Sequence, residues 1–126
     1  MQSIAVMSLL HDVCKIGVYS PSVRNEKVYS GGGTKTDELG AYDWVSKRSW
    51  KFEDPMPYGH GEKSVYMLQA FAKYGFCLSR EETFAIRFHM GDFSDRNTGK
   101  AFELYPMAIQ LHIADLQATY LDERAK

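Results

Sequence analysis

The sequence predicts a mainly α-helical single domain over residues 1–126, with a β-hairpin or long loop inserted at about residues 20–58. Two observations predict this fold class. Apolar residues recur with helical spacing near the N-terminus and again after residue 60, whereas glycine, proline and partly alternating aromatic residues fill the segment between. With 44% hydrophobic and 25% charged residues, a chain of this length can form one hydrophobic core.

The N-terminal segment predicts a buried helix. Residues 3–16 are apolar on nearly every side of a helix wheel, which is typical of a central, enclosed helix, and Gly17 is a plausible end. His11 and Asp12 lie inside this predicted helix. Because an ionised carboxylate is costly in apolar surroundings, we expect Asp12 to be paired or to bind a metal ion.

The inserted segment and the helix after it are predicted from a change in pattern. Residues 23–29 and 42–52 contain β-branched and aromatic residues in partial alternation, which predicts the two strands of a loosely ordered hairpin. The glycine run at 31–33 indicates a loop. Helical spacing returns at 61–74.

Two further helices are predicted towards the C-terminus. Ser79 and Glu82 have the spacing of a capping box and begin a helix that Gly91 ends. Residues 92–100 are predicted to be a polar loop. A proline suited to a first helical turn opens a final helix over 106–121.

Charge and cysteine content exclude several classes of protein. A formal net charge of -1 gives no reason to expect a nucleic-acid partner. A local basic cluster with interleaved tryptophans, residues 44–51, could contact a phosphate backbone, but a solvated strand face is the favoured interpretation. Two cysteines are too few for a secreted disulfide framework, and no run of residues is long enough to span a membrane. We therefore expect a cytoplasmic protein.

Histidines and aspartates at core-facing positions indicate a metal site. Buried carboxylates need a partner, and a shared divalent cation would satisfy carboxylate and imidazole ligands together. Each residue alone has an ordinary alternative, as a hydrogen-bonded core histidine, a loop histidine or an aspartate paired with Lys15. His112 is expected to support a ligand without binding the ion itself. The candidate ligands are His11, Asp12, His60, His89 and Asp115.

Two other motifs are set aside. Cys14 lies three residues after His11, but apolar surroundings disfavour a thiolate, so we interpret it as inert. Residues 59–64 end in Lys-Ser but lack the spacing of a nucleotide-binding P-loop. Their glycine-rich turn at a helix start still offers backbone amides to an anion.

Four segments together resemble the HD-domain superfamily of metal-dependent phosphohydrolases. The His-Asp pair is followed by lysine three residues later, then by two isolated histidines and a helix-borne His-x-x-Asp. The segments are residues 9–15, 59–64, 85–91 and 111–115. This resemblance implies an HD-domain-like helical bundle and covers roughly residues 4–121, apart from the insertion.

The resemblance also implies roles for single residues. His11, Asp12 and Asp115 would bind a first ion, and the isolated histidines, His60 and His89, would bind a second, with Asp12 as the bridge. Asp12 and Lys15 would be catalytic. By the same resemblance Lys15 would contact substrate phosphate or position the attacking water. Independently of the resemblance, the positive charges of Lys63 and Arg87 make them further candidates for phosphate contact.

One feature of the superfamily pattern is missing. That pattern begins with another histidine on an earlier helix, whereas this chain has ten residues before His11. The expectation is a truncated or shortened homologue, in which water or a residue of another chain completes the first site. Apolar surface left uncovered by the missing helix favours self-association into a homo-oligomer.

The expected activity follows from these ligands. A metal-activated water would hydrolyse a small phosphomonoester or phosphodiester, with a nucleotide as the expected substrate. The alternative is a catalytically weak regulatory module that binds metal or nucleotide, and a purely structural helical domain is a third interpretation. One or two ions are expected, and the ligands do not distinguish Fe, Mn, Zn, Ni or Mg.

Overall fold

The structure is a computed structural model that describes residues 2–123, and it is a mixed α/β fold. The mainly α prediction is wrong, because 50% of the chain is helical and a three-stranded antiparallel sheet takes a further 22%. The helices are α1 (Gln2–Leu10), α2 (His60–Gln69), α3 (Arg80–Phe88), α4 (Asn97–Leu104) and α5 (Pro106–Gln117); the strands are β1 (Tyr19–Tyr29), β2 (Lys35–Asp37) and β3 (Gly40–Phe52). None of the helices within residues 2–123 is long and apolar enough to cross a membrane.

The described residues cluster into two compact units. The helical unit contains residues 2–15 and 56–123, and the strand unit contains residues 16–55. The prediction of one domain stays a prediction. Side chains from α1, α2, α3 and α5 form the core of the helical unit, namely Met7, Leu68, Ala85, Ile86, Ala108 and Leu111.

Helix α1 is shorter and more exposed than the sequence predicts. It ends at Leu10, so His11 and Asp12 lie in the turn that follows, and a short 3-10 turn (Val13–Lys15) comes next. The His11 ring caps the helix end, because its Nδ1 lies 3.1 Å from the carbonyl oxygens of both Met7 and Ser8. Leu9 is 79% exposed, so the predicted enclosure of this helix is wrong.

Helix α3 begins as predicted. The capping box is confirmed: Ser79 Oγ accepts the backbone N–H of Glu82, and the Glu82 carboxylate accepts the N–H of Ser79. The helix ends at Phe88, with His89 as its C-cap, and Gly91 follows in the left-handed conformation with φ 66°. A Cβ atom at Gly91 would also overlap the ring of His112, so a glycine is required here.

Helix α4 falls partly where a polar loop was predicted, and that prediction is wrong. Its first turn is organised by Asp95, whose side chain accepts the N–H of Asn97 and whose carbonyl accepts the N–H of Thr98. Thr98 and Ala101 are buried on one side of the helix. Two turns carry too short an apolar stripe to be recognised among the surrounding polar residues.

The insertion is an ordered sheet with the strand order β1-β3-β2. Long antiparallel strands β1 and β3 pair from Tyr19 opposite Phe52 to Tyr29 opposite Tyr42. The expectation of a loosely ordered hairpin or loop underestimated this segment, because proline and glycine indicated irregular structure. Pro21 is tolerated since β1 is an edge strand, where one N–H needs no ladder partner.

Close contact between α2 and α3 depends on a glycine. A Cβ atom at Gly61 would overlap the backbone carbonyl of Arg87. We expect Gly61→Ala to lower the free energy of unfolding by about 1–3 kcal/mol, as overpacking does in other cores. Gly99→Ala is the matched control: Gly99 lies in α4 with open space around it, and alanine there should stabilise the helix by about 0.5–1 kcal/mol. Urea unfolding followed by circular dichroism measures both, and equal effects would contradict the packing argument.

Candidate metal centre

His11 presents one ring nitrogen to a neighbouring pair of carboxylates. Because carbonyl oxygens only accept hydrogen bonds, the contacts that Nδ1 makes with the end of α1 require that Nδ1 carries a proton. In the neutral ring, Nε2 then has a free lone pair. This atom lies 3.7 Å from Asp12 Oδ2 and 3.6 Å from Asp115 Oδ1.

The Asp12 carboxylate lies at the centre of the cluster. Its Oδ1 is 2.6 Å from His60 Nε2 and 3.6 Å from His89 Nε2, while its Oδ2 is 2.6 Å from Lys15 Nζ. Burial alone would raise the pKa of Asp12, but hydrogen bonds from Lys15 and His60 and the nearby His11 hold it at about 2. Asp12 is therefore an anion at neutral pH, with both oxygens facing candidate ligands.

His89 carries a buried nitrogen without a hydrogen-bond partner. Its side chain is 0% exposed, and its Nδ1–H donates to the Ile86 carbonyl at 2.6 Å. Among the described residues nothing satisfies Nε2, which points towards Asp12 Oδ1. Burial lowers the pKa of His89, so the ring is neutral and Nε2 offers a lone pair to an electron acceptor.

His60 joins the carboxylate to a buried thiol. It is the first residue of α2, and its Nε2–H donates to Asp12. Its Nδ1 lies 3.2 Å from Cys14 Sγ. Cys14 is only 3% exposed, within the short turn after α1.

Helix α5 contributes one carboxylate and one supporting histidine. Asp115 Oδ1 lies 3.6 Å from His11 Nε2, so this carboxylate lies beside the cluster. His112, one turn earlier, donates from Nδ1 to the carbonyl of His89 at 2.7 Å. This bond holds the segment that carries His89, and the supporting role of His112 stays a prediction.

Within residues 2–123, two groups of side chains could hold a metal ion, and they share Asp12. One contains His11, Asp12 and His89; the other contains Asp12, Cys14 and His60. The resemblance instead divides the histidines so that His89 joins His60. In the structure His89 groups with His11, and their rings meet edge to face at 5.0 Å.

The spacing of the first group fits a small divalent cation. Metal–ligand bonds of about 2.0–2.2 Å place neighbouring nitrogen and oxygen ligands about 3.0–3.4 Å apart. The gaps of 3.6 and 3.7 Å that separate the His11 and His89 Nε2 atoms from carboxylate oxygens are close to this range. They are too long for good hydrogen bonds. These atoms are therefore spaced to converge on an ion rather than on one another.

The predicted phosphate contacts occupy different environments. Lys15 Nζ is bound to Asp12 and its side chain is half exposed, whereas Lys63 is only 4% exposed. Arg87 is held between Glu62 and Asp95. It lies in the wall of a cavity of about 370 Å³ that His60 also lines.

The sequence interpretation did not anticipate the contact that Cys14 makes with His60. The apolar neighbourhood that made this residue look inert does bury it, but it buries it against His60, which lies 46 residues further along the chain. No local pattern reports such a contact. The spacing Asp12-x-Cys14 is the one available signal, because it places a carboxylate and a thiol in the same short turn.

No protein-family model, curated protein or solved structure matches this chain. The resemblance to the HD-domain superfamily therefore stays a prediction that rests on the quoted motifs. The geometry of the side chains carries the functional argument instead.

Proposed function

We propose that this chain is a metal-dependent phosphohydrolase acting on a small phosphomonoester or phosphodiester, with a nucleotide as the expected substrate. One observation carries the proposal: the buried His89 Nε2 has no hydrogen-bond partner among the described residues and faces an ionised Asp12. A buried nitrogen left unsatisfied costs about 1–3 kcal/mol. A cation ligated by His89 and Asp12 would remove that cost.

The residues around Asp12 would have different roles in the reaction. A cation would be held by His11, Asp12 and His89, with Asp115 approaching His11 from α5. When bound, a divalent cation supplies a hydroxide nucleophile near neutral pH and compensates charge on the phosphoryl oxygens. Lys15 keeps its ammonium beside Asp12 Oδ2 with half of the side chain exposed, where it would add positive charge next to an incoming phosphate.

The adjacent cavity would hold the part of the substrate that does not react. His60 lies both in the cluster and in the cavity wall, so the cavity adjoins the cluster at this residue. Among the charged residues of that wall, the carboxylates of Glu62, Asp92 and Asp95 outnumber the one basic side chain, Arg87. Such a lining favours hydrogen-bond donors over a second phosphate group, as the edge of a nucleobase would provide.

The alternative function is a regulatory module that binds a cation or nucleotide with little turnover. This alternative is favoured by the ion pairs that the basic residues near the site already form. Lys15 is paired with Asp12, and Arg87 is paired with two carboxylates, so each must exchange partners to bind phosphate. Ligand-induced stabilisation without phosphate release would identify this function.

Metal-free protein loaded with Mn²⁺, Co²⁺, Ni²⁺, Zn²⁺ or Mg²⁺ provides the test. We would measure thermal stability and the release of product from nucleoside mono-, di- and triphosphates and from aryl phosphate mono- and diesters. The expected result is stabilisation by at least one cation and multiple turnover with that cation. If a cation stabilised the protein but none of these substrates were turned over, the regulatory function would be favoured over the enzymatic one. If none of the five cations changed the thermal stability of the protein, both proposed functions would be overturned.

A further inference from the structure

We infer that Cys14 ligates a second divalent cation together with Asp12 and His60, and that this position selects thiophilic ions of the zinc class. Because Asp12 belongs to both ligand groups, this assignment rests on the proposed function. It adds a sulfur ligand from the turn after α1.

The distance between the thiol and the imidazole matches that around a tetrahedral zinc-class ion. Cys14 Sγ lies 3.5 Å from His60 Nε2, and Nε2 lies 2.6 Å from Asp12 Oδ1. A metal–sulfur bond of about 2.3 Å and a metal–nitrogen bond of about 2.0 Å separate the two ligand atoms by about 3.5 Å in a tetrahedron. The short contact between His60 and Asp12 contains a proton, which a cation would replace as it separates the two atoms.

The thiol and the imidazole are positioned by the same helix face. The backbone N–H of Cys14 donates to Ser64 Oγ at 3.3 Å. Ser64 is fully buried and lies one turn after His60 in α2, so both residues face the turn that contains Cys14. This bond holds the sulfur beside the ring independently of any ion.

A nucleophilic role for the same side chains fits the structure less well. Cys14, His60 and Asp12 form a chain of contacts like that of a cysteine hydrolase. A nucleophile must reach a substrate, however, and Cys14 is only 3% exposed. A metal ligand needs no such access.

A second observation points to an ion at the same carboxylate. The unsatisfied Nε2 of His89 lies 3.6 Å from Asp12 Oδ1, the oxygen that His60 contacts. The buried orphan imidazole and the pair of Cys14 and His60 therefore meet the same anionic carboxylate, each within its own ligand group. Thiolate ligands prefer zinc-class ions, whereas Mg²⁺ and Mn²⁺ prefer oxygen. We expect Zn²⁺, Co²⁺ and Cd²⁺ to bind this position in preference to Mg²⁺.

Cobalt titration of the metal-free protein tests the assignment directly. A cobalt–thiolate bond produces a charge-transfer band in the near ultraviolet, which nitrogen and oxygen ligands do not give. We expect this band in the wild-type protein and in the Cys77→Ser control, whose cysteine is exposed. In Cys14→Ser the band should disappear, and cobalt affinity at this position should fall by at least about tenfold.

A second measurement covers the case in which Cys14→Ser does not fold. The ¹¹³Cd chemical shift of the wild-type protein reports a sulfur ligand without any substitution, and it should keep its sulfur-ligated value in Cys77→Ser. Bound cobalt or cadmium without a thiolate signal, or a band retained in folded Cys14→Ser, would overturn the assignment. Turnover with Mn²⁺ or Mg²⁺ and no thiolate signal would remove only the sulfur ligand. A thiolate signal without turnover would remove only the phosphohydrolase.

Discussion

Replacing Asp12 with asparagine is expected to abolish both cation binding and phosphate release. The substitution keeps the size of the side chain but removes the negative charge that faces His11, His60 and His89. Because both candidate ligand groups contain Asp12, each loses its carboxylate ligand in the variant. A loss of about 4 kcal/mol of transition-state stabilisation corresponds to about a 10³-fold lower kcat/KM, and we expect at least this.

Asp43→Asn provides a matched control for the loss of one carboxylate. Asp43 lies in β3, where it accepts hydrogen bonds from Thr34, outside both ligand groups. Isothermal titration with the activating cation and initial rates on the best substrate would be compared for both variants. Wild-type turnover or cation affinity in folded Asp12→Asn would remove the metal-dependent mechanism. A similar loss in Asp43→Asn would show that the effect is not local to the site.

Local features of the fold could be predicted from sequence because they depend on neighbouring residues. The capping box of Ser79 and Glu82 involves residues three positions apart, and it forms as predicted. Helix α4 was missed because Thr98 and Ala101 give too short an apolar stripe. The extent of the sheet was missed because Pro21 suggests irregular structure, although an edge strand tolerates it.

The candidate site was predictable in part for a different reason. Each carboxylate and histidine is recognisable by its residue type, and the spacing of the motifs suggested that they would meet. The direction in which each histidine ring nitrogen points could not be predicted from the sequence. His89 Nδ1 donates to the carbonyl of Ile86, and this bond directs Nε2 towards Asp12. The contact between Cys14 and His60 likewise exists only after α2 packs against the turn after α1.

His89→Asn is expected to eliminate the stabilisation that a cation gives, while leaving the metal-free protein folded. The asparagine amide can still donate to the Ile86 carbonyl, as Nδ1 does now, but it removes the unsatisfied Nε2. The shorter side chain leaves a cavity and places an amide oxygen in the buried position, so the metal-free variant should lose about 1–3 kcal/mol of unfolding free energy. For the wild-type protein, a cation at about 100 times its Kd should add about 2.7 kcal/mol.

The same substitution at His112 distinguishes a histidine that binds the ion from one that only supports a ligand. His112 donates to the carbonyl of His89 and belongs to neither ligand group, so His112→Asn should keep a cation-induced rise in Tm, with affinity reduced by about tenfold, the lower end of the range for residues that support a ligand. Thermal unfolding with and without the cation measures both variants under one set of conditions. If His89→Asn kept the full rise, or His112→Asn lost it equally, the buried nitrogen would be a core atom without a partner. The buried His89 nitrogen would then give no support to an ion at Asp12.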